Sequence, residues 1–251
     1  MEHPFGIDFG GTGIKGAPVD LEVGDFAHDR VRIDTPKPAT PQAVADVFQQ
    51  IIDSFDAAST PVGVTVPGIV RRGVVLSAAN IDKSWMHEDA DAIFTEALGR
   101  EVHVVNDADA AGLAEVEYGA AKGRGGLVMV ITLGTGIGSA MIHDGVLVPN
   151  SELGHLEIDG AVAEARAATS AREREGLSWE AWSERLTTYF RHVERLFTPD
   201  LFVIGGGVSK SWEKFGHLIE VETEMVPATL QNRAGIVGAA LVAHRKAGTE
   251  G

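Results

Sequence analysis

The sequence predicts an α/β protein built as two lobes, and three observations carry that expectation. Strand-like and helix-like apolar patterns alternate from Phe5 to Arg245. A second series of strand, glycine-rich turn, strand, turn and strand starts at Leu127, in the order already used from Phe5. Thirty glycines, many at the ends of apolar runs, mark strand-to-turn junctions rather than a helical bundle.

Phe5–Phe9 alternates like a strand, Gly10-Gly11-Thr12-Gly13 is a turn, and Ile14–Val19 resumes as a strand; residues 30–33 add another. Thr40 and Pro41 form an N-cap and first-turn pair. The helix they open carries Val44, Val47, Phe48, Ile51, Ile52 and Phe55 on one face. Val62–Val66 is a strand stopped by Pro67-Gly68, Glu88–Leu98 a helix, and Val102–Val105 a strand ending at Asn106-Asp107. Ala108–Tyr118 follows as a small-residue helix.

In the second half, Leu127–Leu133 is a strand, then Ser139–Ile142 and Val146–Val148 flank a hairpin turn at His143-Asp144-Gly145. Residues 160–175, rich in Ala, Arg and Glu, read as helix. Ser178 caps a long helix through Trp182, Leu186, Tyr189, Phe190, Val193 and Phe197. Leu201–Ile204 is a buried strand before Gly205-Gly206-Gly207, and Ile236–Arg245 is the last apolar helix.

Composition excludes several classes. With no cysteine, a disulfide framework, a thiolate zinc site and cysteine catalysis are out, and a reducing compartment is consistent. The opening Met1-Glu2-His3-Pro4 has no basic-then-apolar pattern, so no secretory leader is expected, and no apolar run approaches 18 residues, so no membrane span is expected. A net charge of −15 disfavours a nucleic-acid coat. It does not forbid a polyanionic substrate, since binding depends on local cations and backbone N–H groups.

Three glycine segments are candidate phosphate sites. Asp8, Gly10, Gly11, Thr12, Gly13 and Lys15 bring backbone N–H groups, a hydroxyl, a carboxylate and a cation together. No GK[ST] follows, so this is not a Walker A loop, and the following strand argues against a dinucleotide fingerprint. A tight hairpin needs the same glycines with no ligand, so this turn alone leaves both readings open. Gly134, Thr135, Gly136 and Gly138 repeat the logic after Leu133. Gly205, Gly206 and Gly207 follow a buried strand and precede a helix, where an anion or simple steric clearance would each suit glycine.

Asp107 sits where a strand ends and a helix begins, fit either to accept a proton from an attacking hydroxyl or to cap the helix. Glu152-Leu153-Gly154-His155-Leu156-Glu157 offers carboxylate and imidazole groups to vicinal hydroxyls, with Glu164 and Asn80 as further candidates, or forms a satisfied turn network. It is not an HExxH metal motif. Phosphoryl transfer also needs charge compensation, for which Lys15, Arg71, Arg72, Lys83, Lys122, Arg124 and Lys210 are candidates, most of them read as solvated surface charges.

Together these motifs resemble the ROK family of bacterial sugar kinases and repressors. Asp8 to Lys15 is similar to its DxGGTxxK phosphate loop, and Val105-Asn106-Asp107-Ala108-Asp109 to its catalytic segment. Leu133–Gly138, the ExGH run Glu152–His155 and Gly205–Gly207 match its second phosphate loop, its sugar-binding motif and its nucleotide-side glycines, in order over residues 5–245. The resemblance implies a two-lobed actin-like ATPase, or ribonuclease H-like, sugar kinase fold. It implies lobes of 1–106 and 107–235, with a helix and tail over 236–251 packing back on the N-terminal lobe.

By the same resemblance Asp107 is the general base for the sugar 6-hydroxyl. Asn80, Asn106, Glu152, His155 and Glu164 hold the sugar, and Asp8 positions Mg²⁺ through water. Typical members place a cysteine-rich zinc motif after ExGH. Residues 160–169 have no cysteine, so structural zinc is not expected. Thr65–Gly68, Ser77–Trp85 and Glu152–Gly160 narrow the resemblance to actinobacterial polyphosphate glucokinases. These imply glucose as acceptor, mannose in some relatives, and polyphosphate or ATP as donor, in a cytoplasmic homodimer. The sequence shows no DNA-binding domain before Asp8, which argues against the repressor branch. An ATP-preferring gluco- or mannokinase and a sugar-sensing protein without catalysis are the other readings.

Overall fold

The computed structural model describes residues 3–55, 60–78 and 81–248. The chain divides into two compact units, residues 1–114 with 233–251 and residues 115–232.

The first unit begins with β1 (Phe5–Phe9), β2 (Gly13–Asp20), β3 (Asp25–Phe26) and β4 (Val31–Asp34), followed by α1 (Pro41–Asp53). It continues through β5 (Val62–Val66), β6 (Val70–Arg71), β7 (Val74–Val75), α2 (Ala90–Leu98), β8 (Val102–Asn106) and α3 (Asp107–Tyr118), whose last turn enters the second unit. Its main sheet runs β3-β2-β1-β5-β8, with β4 also on β2. The β1–β2 pair is antiparallel, whereas β1–β5 and β5–β8 are parallel.

The second unit holds β9 (Leu127–Leu133), β10 (Ile137–His143), β11 (Val146–Val148), β12 (Glu157–Ile158), β13 (Ala161–Val162), α4 (Ala163–Ala167), α5 (Thr169–Glu175), α6 (Trp179–Phe197), β14 (Leu201–Gly205) and β15 (Met225–Pro227). Its sheet runs β11-β10-β9-β14-β15. Here too an antiparallel hairpin, β9–β10, leads into parallel neighbours, β9–β14 and β14–β15. The repeated order legible in the sequence is therefore a repeated sheet plan, with one glycine turn at the same hairpin of each sheet.

Local chemistry explains the element ends. Thr40 accepts from the Ala43 N–H at the start of α1, Asp89 from the Ala92 N–H at the start of α2, and Ser178 from the Ala181 N–H at the start of α6. Gly99 ends α2 with φ of 61°. The helix read as starting at Glu88 starts at Ala90, because Asp89 supplies the cap.

The 160–175 stretch is not one helix. Ala161 and Val162 pair with β12, and α4 and α5 are separated by Ala168, whose ψ of 158° is extended. Its helix-favouring composition is overridden by this break and by the buried packing of Ala163, Ala167 and Ala168.

Each unit has its own core. In the first, Phe5, Phe9, Phe48, Trp85 and Phe94 pack with the apolar faces of β1, β5 and β8. The final helix, α7 (Ala234–Ala247), lies on the same sheet, against β1 and β5. Gly63 makes this approach possible: a methyl group there would drive into Ala239 O of α7. In the second unit Trp182, Tyr189, Phe190, Phe202 and Phe215 form the centre. No helix among the described residues is long and apolar enough to cross a membrane.

Candidate functional site

In the first unit the β1–β2 hairpin sets Asp8 opposite Lys15, and Lys15 Nζ lies 3.1 Å from Asp8 Oδ2. The other carboxylate oxygen accepts from Thr65 Oγ1 at 3.1 Å, and Thr65 Oγ1 accepts from the Phe9 N–H at 3.2 Å. Asp8 is thus oriented from two neighbouring strands and still only half-buried. Gly10 N–H closes the turn on Gly13 O at 3.2 Å, and Gly11 and Thr12 are exposed at its tip.

At the β8–α3 junction the helix is capped by Asn106, not by Asp107 alone. Asn106 Oδ1 accepts from the N–H groups of Ala108 at 2.9 Å and Asp109 at 3.0 Å. Its Nδ2 donates to Gly68 O at 3.0 Å. Asp107 is exposed at the first helical position, where its Oδ1 meets the Ala108 N–H at 2.9 Å. A carboxylate so placed is fixed by rigid backbone and reachable by a hydroxyl. Asn80 lies outside the described residues.

In the second unit the β9–β10 turn, Glu164 and His155 form one group. Glu164 Oε2 accepts from the Ile137 N–H at 3.1 Å, and Oε1 lies 3.6 Å from His155 Nε2. Ser139 on β10 anchors the ExGH run. Its hydroxyl accepts from the Leu153 N–H at 3.0 Å, and Ser151 Oγ returns a bond to Ser139 O at 2.9 Å. Burial raises the Glu152 pKa from its ordinary value; the His155 charge opposes the rise and the Glu164 charge adds to it.

Short α4, which carries Glu164, is held from behind. Arg174 donates to Ala165 O at 2.9 Å, Arg185 to Arg166 O at 3.1 Å, and Trp182 Nε1 to Ala167 O at 3.0 Å. These are the helix-end carbonyls that lack partners within the helix. Tyr189 is fully buried in the same core, and its pKa is raised by that burial and by the Glu164 charge.

Gly205 ends β14 beside Thr132, and Gly206, with φ of 82°, lies against the backbone of Leu133. The second and third glycine segments are therefore neighbours in one unit. Gly207 faces open space and starts a 3₁₀ segment over Gly207–Lys214 that is kinked at Ser211, where the sequence suggested an ordinary helix. Gly138 lies within β10, paired with Thr132. Among the candidate cations, Arg124 is exposed and ion-paired with Glu224, while Lys83, Lys122 and Lys210 are exposed.

The described residues contain no group of three metal-ligating side chains. A hydrated Mg²⁺ would need only one or two carboxylates beside substrate phosphates, and Asp8, a half-buried carboxylate next to a glycine turn, fits that requirement.

Sequence reading gave no site role to Thr65, Ser139, Ser151 or Trp182. Thr65 stands in the Thr65–Gly68 run, but its bond to Asp8, like the contacts of the other three, joins residues made near only by folding.

A family model described as ROK family matches residues 4–171. The chain is 50% identical over 242 residues to a polyphosphate glucokinase of Mycobacterium tuberculosis, covering 96% of this chain and 91% of the relative. Identity to the Mycobacterium leprae polyphosphate glucokinase is also 50%, over 94% of this chain and 73% of that one. Among solved structures, the inorganic polyphosphate/ATP-glucomannokinase of Arthrobacter sp. strain KM superposes with a TM-score of 0.93 at 55% identity, over 97% of this chain and 99% of that one. A ROK family glucokinase of Streptomyces griseus in complex with glucose and AMPPNP gives 0.82 at 26% identity, over 96% and 99%.

Proposed function

Because the chain belongs to the ROK family, we propose that it moves a phosphoryl group from inorganic polyphosphate, and from ATP, to the 6-hydroxyl of glucose. The relatives at 50% and 55% identity support this donor and acceptor pair. The observation that carries it is the double engagement of Glu164. One oxygen orders the Gly134–Gly136 turn through Ile137, and the other faces His155 of the hydroxyl-binding run.

In this reading the glucose 6-oxygen attacks the terminal phosphorus in line. The bond from that phosphorus to the bridging oxygen breaks, and the shortened polyphosphate, or ADP, leaves. Asp107 takes the proton of the attacking hydroxyl. Glu152, His155, Glu164 and Asn106 hold sugar hydroxyls, with Asn80 as a further partner. The three glycine segments and Lys15 hold the phosphate chain. Asp8 would hold Mg²⁺ through water, and the ion would supply neutralising charge on the donor phosphates.

The enzyme in this reading is a cytoplasmic homodimer. The absence of cysteine fits a reducing compartment, and the exposed Val146 and Val148 of edge strand β11 offer an apolar strip for a second copy.

The deciding experiment crosses glucose and mannose with nucleotide-free polyphosphate and ATP, with Mg²⁺ present. Glucose 6-phosphate from both donors is expected. Product from ATP alone would reassign the chain as an ATP-dependent kinase, and no product from any pair would overturn the reading.

A further inference from the structure

Each glycine turn is gripped from behind by one hydroxyl residue. In the second turn Ser170, on α5, donates its backbone N–H to Gly134 O at 3.1 Å and its hydroxyl to Thr135 O at 2.6 Å. In the first turn Thr35, just after β4, donates its hydroxyl to Gly10 O at 2.5 Å and its backbone N–H to Thr12 O at 3.5 Å. The same pair of donors, hydroxyl and amide of a single residue, thus takes two carbonyls of each turn. The two residues belong to different units and to unrelated local sequences.

Peptide geometry turns this grip into a consequence for ligands. The only cis bond among the described residues is Lys37–Pro38, so the turn peptides are trans. In a trans peptide C=O and N–H point in opposite directions. Drawing Gly134 O and Thr135 O toward Ser170 therefore aims the N–H groups of Thr135 and Gly136 away from it. Neither N–H donates a hydrogen bond among the described residues.

The rest of that turn is spent. Gly134 N–H bonds Gly136 O at 3.0 Å, and Ile137 N–H bonds Glu164. In the first turn the grip on Gly10 O aims the Gly11 N–H away from Thr35, and Gly10 N–H is used on Gly13 O. Thr135 and Gly11 are exposed. With the carbonyls withdrawn, an anion approaching from the open side meets adjacent N–H dipoles instead of repelling oxygens.

We propose that Thr35 and Ser170 are positioning residues for the phosphoryl donor: by holding the turn carbonyls on their own side, they present the N–H groups of Gly11, Thr135 and Gly136 to phosphate oxygens. This rests on the reading of both turns as phosphate sites. Neither residue touches the ligand, and the chemistry serves ATP and polyphosphate alike.

The test uses the full chain and the variants Ser170→Ala, Ser170→Thr, Thr35→Val and Thr35→Ser. Ser170→Ala keeps the backbone donor and removes only the hydroxyl. Loss of that one hydrogen bond is expected to raise KM for both donors about fivefold, with KM for glucose changed by less than about twofold. Ser170→Thr and Thr35→Ser restore the hydroxyl and should recover donor KM.

A second readout is independent of turnover. Titration with inorganic tripolyphosphate should shift the ¹⁵N–¹H resonances of Gly11, Thr135 and Gly136. Ser170→Ala should need about fivefold more of it to move Thr135 and Gly136. Unchanged donor KM with an unchanged amide response overturns the proposal, as does an equal rise in donor and glucose KM that tracks a lower melting temperature. If the parent chain transfers no phosphoryl group, the proposed function falls and the titration alone judges this inference: shifts weakened in Ser170→Ala support it, and no shift in the parent overturns it.

Discussion

Glu115 should be a principal stability determinant of the second unit. It is 1% exposed, yet its carboxylate is fully engaged by backbone donors. Oε2 accepts from the N–H groups of Ala120 at 2.8 Å and Thr229 at 3.1 Å, and Oε1 from Leu230 at 2.7 Å. Glu115→Ala leaves three backbone N–H groups without an acceptor, each costing about 1–3 kcal/mol where water cannot reach. Allowing for partial solvation, the expected loss is about 4 kcal/mol, or roughly a thousandfold in the folding equilibrium. For a chain of this size the melting temperature should fall by about 10 °C. Glu115→Gln retains a single accepting oxygen and sets an NH₂ against the remaining donors, so roughly half the loss should persist. Urea unfolding followed by tryptophan fluorescence reads this unit selectively, because three of the four tryptophans, Trp179, Trp182 and Trp212, lie within it. An alanine variant within about 1 kcal/mol of the parent would refute the reasoning, since an unmet trio of buried donors cannot be that cheap.

Asp107→Asn should nearly abolish turnover while glucose binding, measured by calorimetry, stays close to that of the parent; near-normal turnover would remove Asp107 from the role of base. The raised pKa of Glu152 sets a pH dependence. A raised carboxylate pKa means the folded chain binds this proton at a pH where the unfolded chain does not. Acidification through that window therefore favours the folded state as far as this group is concerned, while removing the charge that accepts sugar hydroxyls. KM for glucose should climb on acidification, beginning at a higher pH than an unperturbed glutamate would require, and Glu152→Gln should be high and flat; a pH-independent parent KM would count against it. Gly63→Ala, which pushes a methyl group into the α7 backbone, should destabilise the first unit by about 1–3 kcal/mol in denaturant titration. Trp182→Phe removes the bond to Ala167 O and should cost about 1 kcal/mol, with a higher glucose KM as the support of α4 loosens.

The fold was legible where chemistry is local. Thr40-Pro41 announces α1, Ser178 announces α6, and the alternation of Phe5–Phe9 with its glycine turn announces β1 and β2, because capping, proline geometry and side-chain period all act within a few residues. The 160–175 stretch was misread for the converse reason: its composition favours helix everywhere, and the break at Ala168 comes from packing against the second core. Candidate site residues with distinctive chemistry, such as Asp8, Asp107, Glu152 and His155, stand out in a sequence. A serine or threonine that bonds a carbonyl 25 or 35 positions away does not.

By itself, then, the sequence determined the class of fold, the duplicated hairpin plan and the residue types at each glycine turn. Turn and cap preferences are short-range, and apolar periodicity needs no partner to be read. Only the tertiary structure decided which carbonyls Thr35 and Ser170 take, that Glu164 joins Ile137 to His155, and that Gly206 abuts Leu133. Those are contacts between chain segments far apart in sequence, and a hydrogen bond carries no information until its donor and acceptor lie within about 3 Å of each other.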